Sequence, residues 1–542
     1  MPTIHWIGKD KVINHHRDVP YKVLEHAYGF DAKKGKTKQP TGSGNKVIHG
    51  DNLEALKSLL PEYEGKVKCI YIDPPYNTGN EGWVYNDNVN DPRIKKWLGD
   101  VVGKEGEDLS RHDKWLCMMY PRLVLLHKLL AEDGSIWVSI DDHEYANLLL
   151  MCHEIFGASN HLATIIWEKT DSPKMDSKHF SSKHDYLVVF AKNFSAVSIE
   201  QLLAGDHELA HYNKFDETGN KYYLKPLRAM GGQGETREAR PNLYYPLTAP
   251  DGSEVYPKRK DGSDGAWRWS REKVDDEAER IEWVKAKAGW SANFRIYASA
   301  NSTRPIETIW YHTQVGSNRT SKAEVNSILA GTNSFNTPKP IGMLEKVLKC
   351  VGDKSSIILD SFAGSGTTAH AVLNLNKQDG GNRKFILIEM MDYAETITAV
   401  RVKRVMKGYG EDKKKTEGTG GAFDYYTLGQ SLFNAQEQLN EEVSVEKIRE
   451  YIWYSETRTA LAGIPRKARN DAGYYLGTHE RTAYYFVYEK NALTTLDHEL
   501  LATLPTKGER TVIYADNCLL PKKFMEQHGI VFKKIPRDIT RF

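Results

Sequence analysis

Ile357-Ile358-Leu359 runs into Asp360-Ser361-Phe362-Ala363-Gly364-Ser365-Gly366-Thr367-Thr368, and Ala369-His370-Ala371-Val372-Leu373 follows. No other stretch limits the fold so tightly, because it reads as a buried strand, a glycine-rich turn and a helix. Glycines at such a turn let a ligand approach the backbone, and the helix N-terminus offers free N–H groups. The next apolar run, Phe385-Ile386-Leu387-Ile388, ends in Glu389. An acid at the end of the second strand, about 20 residues past the loop, is where nucleotide-binding folds grip ribose hydroxyls. The spacing is not Gly-x-Gly-x-x-Gly, so the reading rests on the whole order of strand, loop, helix, strand and acid.

A second strand end lies far upstream. Cys69-Ile70-Tyr71-Ile72 leads directly into Asp73-Pro74-Pro75-Tyr76, with Asn77-Thr78-Gly79 after it. Each proline fixes its own φ and lacks an N–H, so the backbone there offers carbonyl acceptors only. Asp73 adds an acceptor and Tyr76 a stacking face. Together they make a rigid slot for a flat base bearing an amino group, whose two hydrogens need such acceptors. An Asp-capped turn at a strand end is the alternative, since Asp and Pro are ordinary turn residues.

The chain has 542 residues, enough for several cores. Its 11% aromatic and 27% charged residues describe a globular protein, not a disordered one. A net charge of +2 leaves nucleic acid open as a partner, because local patches govern phosphate binding. The five cysteines are far apart and form no Cys-x-x-Cys pair, which argues against metal and disulfide frameworks and for a reducing cytoplasm. No signal peptide or membrane-length apolar run is visible.

From 46 to about 192, strands and helices alternate, with 115–130 and 145–156 as helices and 135–140 and 186–190 as strands. The segment after Leu344 supplies a matching second half, so one α/β domain is split by an insert. The lysine-rich run 33–44 reads as a flexible lead-in. Its Gly35-Lys36-Thr37 is not a phosphate loop, because the required first glycine falls at Phe30 and no buried strand precedes it. A second linker-like run spans 411–420. The expected layout is an arm and linker over 1–45, half-domains over 46–192 and 333–428, an insert over 193–332, and a small C-terminal helical and α/β domain over 429–542.

Asp73-Pro74-Pro75-Tyr76 together with Phe362-Ala363-Gly364-Ser365-Gly366 resembles the signature pair of S-adenosylmethionine-dependent amino-group DNA methyltransferases. The catalytic motif comes first, which is similar to the permuted order of the β class. Gly50-Asp51-Asn52-Leu53 resembles the segment that contacts the cofactor's adenine. Phe335-Asn336-Thr337-Pro338-Lys339-Pro340 resembles the segment that closes over its methionine end. The resemblance implies a Rossmann-like sheet split by a target-recognition domain. It also implies catalytic roles for Asp73, Pro74, Pro75 and Tyr76. Cofactor contacts would come from Asp51, Asn52, Asn336, Thr337, Pro338, Lys339, Asp360, Phe362, Gly364, Gly366, Thr367 and Glu389. The long insert and the tail ending Lys533-Lys534-Ile535-Pro536-Arg537-Asp538 resemble modification subunits of type III restriction–modification systems, which implies a homodimer and a separate ATP-dependent restriction subunit.

Within the insert, Lys225, Arg228, Arg237, Arg240, Lys258, Arg259, Lys260 and Arg268 alternate with aromatics, including Tyr244, Tyr245, Trp267 and Trp269. Arg and Lys neutralise phosphates, and Arg reads guanine bidentately, so the insert as a whole is expected to bind duplex DNA. For any single residue, a solvated charge or a core ring is the favoured assignment. The expected reaction is methylation of the N6 amino group of an adenine rotated out of the duplex. Cytosine-N4 methylation, a stand-alone adenine methyltransferase, an RNA or protein amino-group methyltransferase and a non-catalytic DNA-binding subunit are the alternatives.

Overall fold

The structure is a computed structural model. It describes all residues except 1–2, 79–108, 174, 176, 204–211, 232–233, 287–288, 299–302, 330–334, 411–414, 435, 462–472, 505–507, 537, 540 and 542. Gly79, Gly232, Arg537, the expected domain boundary at 332 and the start of the 411–420 linker lie outside the described residues.

Short, continuously apolar segments form parallel strands buried on both faces. Among the described residues eleven strands make one sheet: β1 (Lys22–Asp31), β2 (Gly35–Thr37), β3 (Lys46–His49), β4 (Val67–Ile72), β5 (Leu130–Ile140), β6 (His161–Glu168), β7 (His184–Ala191), β8 (Ile309–Trp310), β9 (Ile357–Asp360), β10 (Lys384–Glu389) and β11 (Ala422–Ser431). Their order is β8-β6-β7-β5-β4-β9-β10-β3-β11-β1-β2. From β5 to β11 all neighbours are parallel, whereas β7 and β1 run antiparallel to the strands beside them. The decisive contact is β4 against β9, which pairs Cys69 with Ile358 and Ile70 with Leu359. From that junction the chain continues to β5 on one side and to β10 on the other. Such a reversal opens a crevice at the carboxyl ends of the strands.

Helices cover the sheet. Asp51 caps α1 (Asn52–Tyr63), and its carboxylate accepts from the Leu53 and Glu54 N–H groups. Side chains of α1, α2 (Leu109–Leu129) and α3 (Tyr145–Phe156) join Ile70, Ile72, Leu359, Ile386 and Ile388 in one core. Strand alternation turns Tyr71, Ile358 and Leu387 to the opposite face. A second group follows later in the chain, where α4 (Ile341–Val351) packs on α5 (Thr367–Asp379), and α5 packs on α6 (Val400–Lys407). Among the described residues no helix is long and apolar enough to cross a membrane.

Two compact units emerge: Met1–Glu200 with Glu307–Phe542, and Gln201–Ile306. The insert is therefore shorter than the expected 193–332. At its end Ile309 and Trp310 return to the main sheet and pair with Ile166 and Trp167. The expected arm over 1–45 also needs correction. Its residues supply β1 and β2, because Val23, Tyr28 and Phe30 bury their side chains and Asp424 accepts from the Thr41 N–H and hydroxyl, both at 2.8 Å. Composition alone made 33–44 look like a solvated lead-in.

The C-terminal region builds its own sheet from Tyr475–His479, Thr482–Phe486, Arg510–Ala515 and Ile530–Lys534. It is fastened to the main unit by the helix Val445–Thr457, whose Ile448, Tyr451, Ile452 and Tyr454 enter the α1–α3 core.

Leu359 is fully buried at the β4–β9 junction. Leu359→Ala is expected to lower the unfolding free energy in urea by about 2–5 kcal/mol; a loss well under 1 kcal/mol would contradict the packing described.

Candidate active site

Four parallel strands end in acids: Ile72-Asp73, Ile140-Asp141, Leu359-Asp360 and Ile388-Glu389. All four carboxylates line one cavity of about 840 Å³ at the carboxyl ends of the strands. Pro74, Pro75 and Tyr76 line it from one side, and Phe362, Gly364 and Thr367 from the other. Two segments nearly three hundred residues apart in sequence thus share a wall, as the strand pairing requires.

Around the proline motif, several polar groups are engaged. Both Asp73 carboxylate oxygens accept from Lys339 Nζ, each at 2.6 Å. Lys339 Nζ also lies 4.9 Å from the centre of the Tyr76 ring. The Pro75 carbonyl accepts from the Trp115 indole at 2.7 Å, so it is already occupied. Asn77 adopts a left-handed φ of 61° and donates to Glu144, which is fully buried. Burial, together with the charge of Asp73, pushes the Tyr76 phenol well up.

In the glycine loop, Gly364 (φ +51°) and Gly366 (φ +82°) sit in the left-handed region. A Cβ on Gly364 would stand 3.1 Å from the Phe335 ring, and one on Gly366 would stand 3.3 Å from the Thr398 methyl. The loop is braced from beneath. Arg401, fully buried, donates to Ser365 Oγ at 2.7 Å and Thr367 Oγ1 at 2.8 Å. Thr398 Oγ1 donates to the Gly364 carbonyl. Asp360 accepts from the Phe362 N–H at 3.0 Å and from the Thr368 hydroxyl at 2.5 Å. Glu389 accepts from the Gly364 N–H at 2.8 Å and the Met391 N–H at 3.0 Å.

Electrostatics define what fits. The lining carries six carboxylates (Asp73, Asp141, Asp142, Asp185, Asp360, Glu389) against two lysines, Lys169 and Lys339. Burial pushes Asp360 and Glu389 each up to about 7, against the loop hydrogen bonds that favour the anion. Asp185 is raised by burial despite its 2.6 Å contact with Lys169. Such a cavity is complementary to a cationic ligand. Its glycine cradle and aromatic walls (Phe362, and Phe335 edge-on to Tyr393 at 5.6 Å) suit a nucleoside with an extended charged arm.

The expected residues divide. Asp73, Pro74, Pro75, Tyr76, Thr337, Pro338, Lys339, Asp360, Phe362, Gly364, Thr367 and Glu389 line the cavity, and Gly366 caps the helix behind it. Asn336 is exposed and outside the lining. Asp51 and Asn52 also lie outside it. Asp51 is the cap of α1, and Asn52 ties the Ser361 carbonyl (3.1 Å) to Arg122 Nε (2.6 Å). Asp141, Asp185 and Lys169 were missed. Asp141 carries the same signal as Asp73, an apolar parallel strand that ends in an acid. Asp185 opens an antiparallel strand and gives no such signal.

In the unit Gln201–Ile306, five of the eight expected basic residues are already engaged. Arg237 and Lys258 pair with Asp264, Arg259 pairs with Glu235 at 2.7 Å, and Arg268 donates to the Pro226 carbonyl at 3.2 Å. Arg228 is half-buried and donates to the Ala229 carbonyl. Among the described residues Lys225, Arg240 and Lys260 have no ion-pair partner. Trp267 and Trp269 are buried in this unit's core with Leu227 and Phe294.

Fold and cavity together describe an α/β protein with a site suited to a nucleoside, and the comparisons name its family. Residues 67–400 match the DNA methylase family N6_N4_Mtase, and the chain belongs to that family. It is 32% identical to the type III restriction-modification enzyme EcoPI Mod subunit of Escherichia phage P1, over 71% of this chain and 63% of that one. It is 33% identical to the StyLTI Mod subunit of Salmonella typhimurium, over 71% and 57%. The type II methyltransferase M.KpnI of Klebsiella pneumoniae is 32% identical over 67% of this chain and 84% of its own. The matched region thus spans less than two-thirds of either Mod subunit.

Glu389 offers a direct check on the electrostatics. Between the ordinary carboxylate range and about pH 7 the folded protein keeps a proton that the unfolded chain has released, so stability falls as pH rises through that window. Glu389→Gln removes this dependence. Its urea stability relative to the parent, without ligand, should improve by roughly 1–3 kcal/mol between about pH 5 and pH 8. A difference independent of pH would overturn the assignment.

Proposed function

We propose that this chain is a site-specific DNA methyltransferase that transfers a methyl group from S-adenosylmethionine to the N6 amino group of an adenine rotated out of duplex DNA. The observation that carries the reading is the shared cavity, in which Asp73 and the Gly364–Glu389 loop region face the same space. Family membership and the Mod-subunit relatives support it. When bound, S-adenosylmethionine supplies a methyl group made electrophilic by its sulfonium charge.

In this reading the acidic lining holds the cationic cofactor, Glu389 accepts from ribose hydroxyls, and Asp360, Phe362 and Thr337 flank the methionine end. Gly364, Gly366 and Thr367 let the backbone close in, while Pro338 and Lys339 shape the wall. The target base enters edge first. Its amino hydrogens donate to an Asp73 oxygen and the Pro74 carbonyl, which localises the nitrogen lone pair normally drawn into the ring. Tyr76 supplies the stacking face, in place of the base neighbours lost on rotation. An aryl amine is too weak an acid to be deprotonated first, so Asp73 takes the proton only after the nitrogen has become cationic. The remaining work is positioning and a preorganised polar slot.

Cations of the insert, exposed Arg240 and Lys260 and half-buried Lys225 foremost, neutralise DNA phosphates in this reading. In this reading the chain acts as a homodimer and joins a separate ATP-dependent restriction subunit in the cytoplasm; the likeness to the EcoPI and StyLTI Mod subunits supports the partner subunit. A stand-alone methyltransferase is the second reading, supported by the coverage of the type II enzyme M.KpnI.

The test is to incubate the purified chain with duplex DNA and S-adenosylmethionine, digest the DNA, and identify the modified nucleoside. N6-methyl-2′-deoxyadenosine is expected, and N4-methyl-2′-deoxycytidine or no product would reject the assignment. Asp73→Ala should cut turnover by about 10²-fold or more, with cofactor binding retained; near-normal turnover would remove Asp73 from the mechanism. Gly366→Val forces a branched side chain into a left-handed position beside Thr398. It is expected to weaken S-adenosylmethionine binding by about tenfold or more in calorimetry, and unchanged affinity would exclude the loop from the cofactor site.

A further inference from the structure

Lys339 stands between two prolines, Pro338 and Pro340, immediately before α4. Proline on its C-terminal side drives Lys339 into extended backbone, and both rings fix φ on either side. The Pro338 carbonyl is pinned by the Ser321 hydroxyl at 2.7 Å. The arm that carries the ammonium is therefore stiff at its root. At its tip, Nζ contacts both Asp73 oxygens at 2.6 Å, and the two side chains are only 9% and 24% exposed.

Behind this pair stands a second one. Asp185, 4% exposed, binds Lys169 Nζ at 2.6 Å, and the Lys339 charge acts on Asp185 as well. The charges alternate from Lys169 through Asp185 and Lys339 to Asp73. A carboxylate has about four lone-pair sites, and one ammonium on both oxygens uses only two of them. Asp73 lines the cavity, and the ammonium holds both of its oxygens.

We infer that Lys339 is a positioning residue for methyl transfer, fixing the Asp73 carboxylate in the orientation that receives the amino hydrogens of the target base. This rests on the function proposed above for the cavity. It departs from the cofactor contact that the motif around Lys339 implies, because the ammonium is committed to the catalytic acid. The 335–340 segment also reaches the cofactor loop through Phe335, which packs over Gly364. One short rigid segment thereby touches both halves of the site.

The experiment compares Lys339→Gln and Lys339→Arg with the parent, reading kcat on duplex DNA and the Kd of S-adenosylmethionine by calorimetry. Lys339→Gln should lower kcat by roughly 10- to 100-fold, because a misplaced acceptor spoils the approach geometry. Its cofactor Kd should stay within about threefold, which also reports that the variant is folded. Lys339→Arg keeps the cation on Asp73 and should recover at least about half of the lost kcat on a logarithmic scale. Unchanged kcat in Lys339→Gln would overturn the inference. So would a cofactor Kd that weakens in step with kcat in both variants, since Lys339 would then serve the cofactor. Should Lys339→Gln fail to fold, Lys339→Arg decides alone: kcat as low as in Asp73→Ala with cofactor binding retained overturns the role, and a rate well above it supports it. If the parent chain methylates no amino group, the functional reading fails first. If the parent and Asp73→Ala behave as expected while Lys339→Gln turns over normally, only this inference fails.

Discussion

The parallel pairing of β4 with β9 is the contact on which the site depends. Cys69 and Ile70 lie beside Ile358 and Leu359, all fully buried, and this register brings the ends of the two strands level. Asp73 and Asp360 then emerge at one edge, with the glycine loop beside them. A parallel strand pair needs no short connection, so the intervening chain is free to carry an extra unit. The insert exploits that freedom without disturbing the sheet, because it leaves and rejoins at β7 and β8 on the far side of β5.

Burial gives the cavity its character and also its cost. Carboxylates at strand ends lose much of their hydration, and the loop N–H groups and hydroxyls that bind Asp360 and Glu389 return only part of it. The protein tolerates this because packing elsewhere is extensive, from the α1–α3 core to the C-terminal helix that joins it. An acidic site held at this cost is primed for a cationic partner, which removes the penalty as it binds. Lys169 and Lys339 offset the charge only on the side where Asp73 and Asp185 stand.

Much of this was legible in the residues. Asp73-Pro74-Pro75-Tyr76 and Gly364 to Glu389 stood out, because an apolar run that stops abruptly at an acid or a glycine marks the end of a buried strand. Asp51 and Asn52 were harder. Their motif is intact, yet Asp51 caps a helix and Asn52 braces Ser361, roles that spacing does not distinguish from ligand contact. In the insert, Arg237, Lys258 and Arg259 look like free cations in the sequence. Only the fold reveals Asp264 and Glu235 as their partners. Trp267 and Trp269 likewise could be wedges or core until a small sheet closes over them.

By itself, the sequence determined the strand-and-loop grammar, the split of one α/β domain around an insert, and the identity of the acids at three of its strand ends. Those are local properties, set by hydrophobic period, by proline and glycine geometry and by the residue that terminates each apolar run. Tertiary structure alone decided where the insert stops, that the N-terminal arm belongs to the sheet, and that Lys339 grips Asp73. Each of these depends on side chains or strands far apart in the chain being brought into register. An ion pair across that distance leaves no periodic trace, and the preference of either partner for water is overcome only once the sheet has buried both.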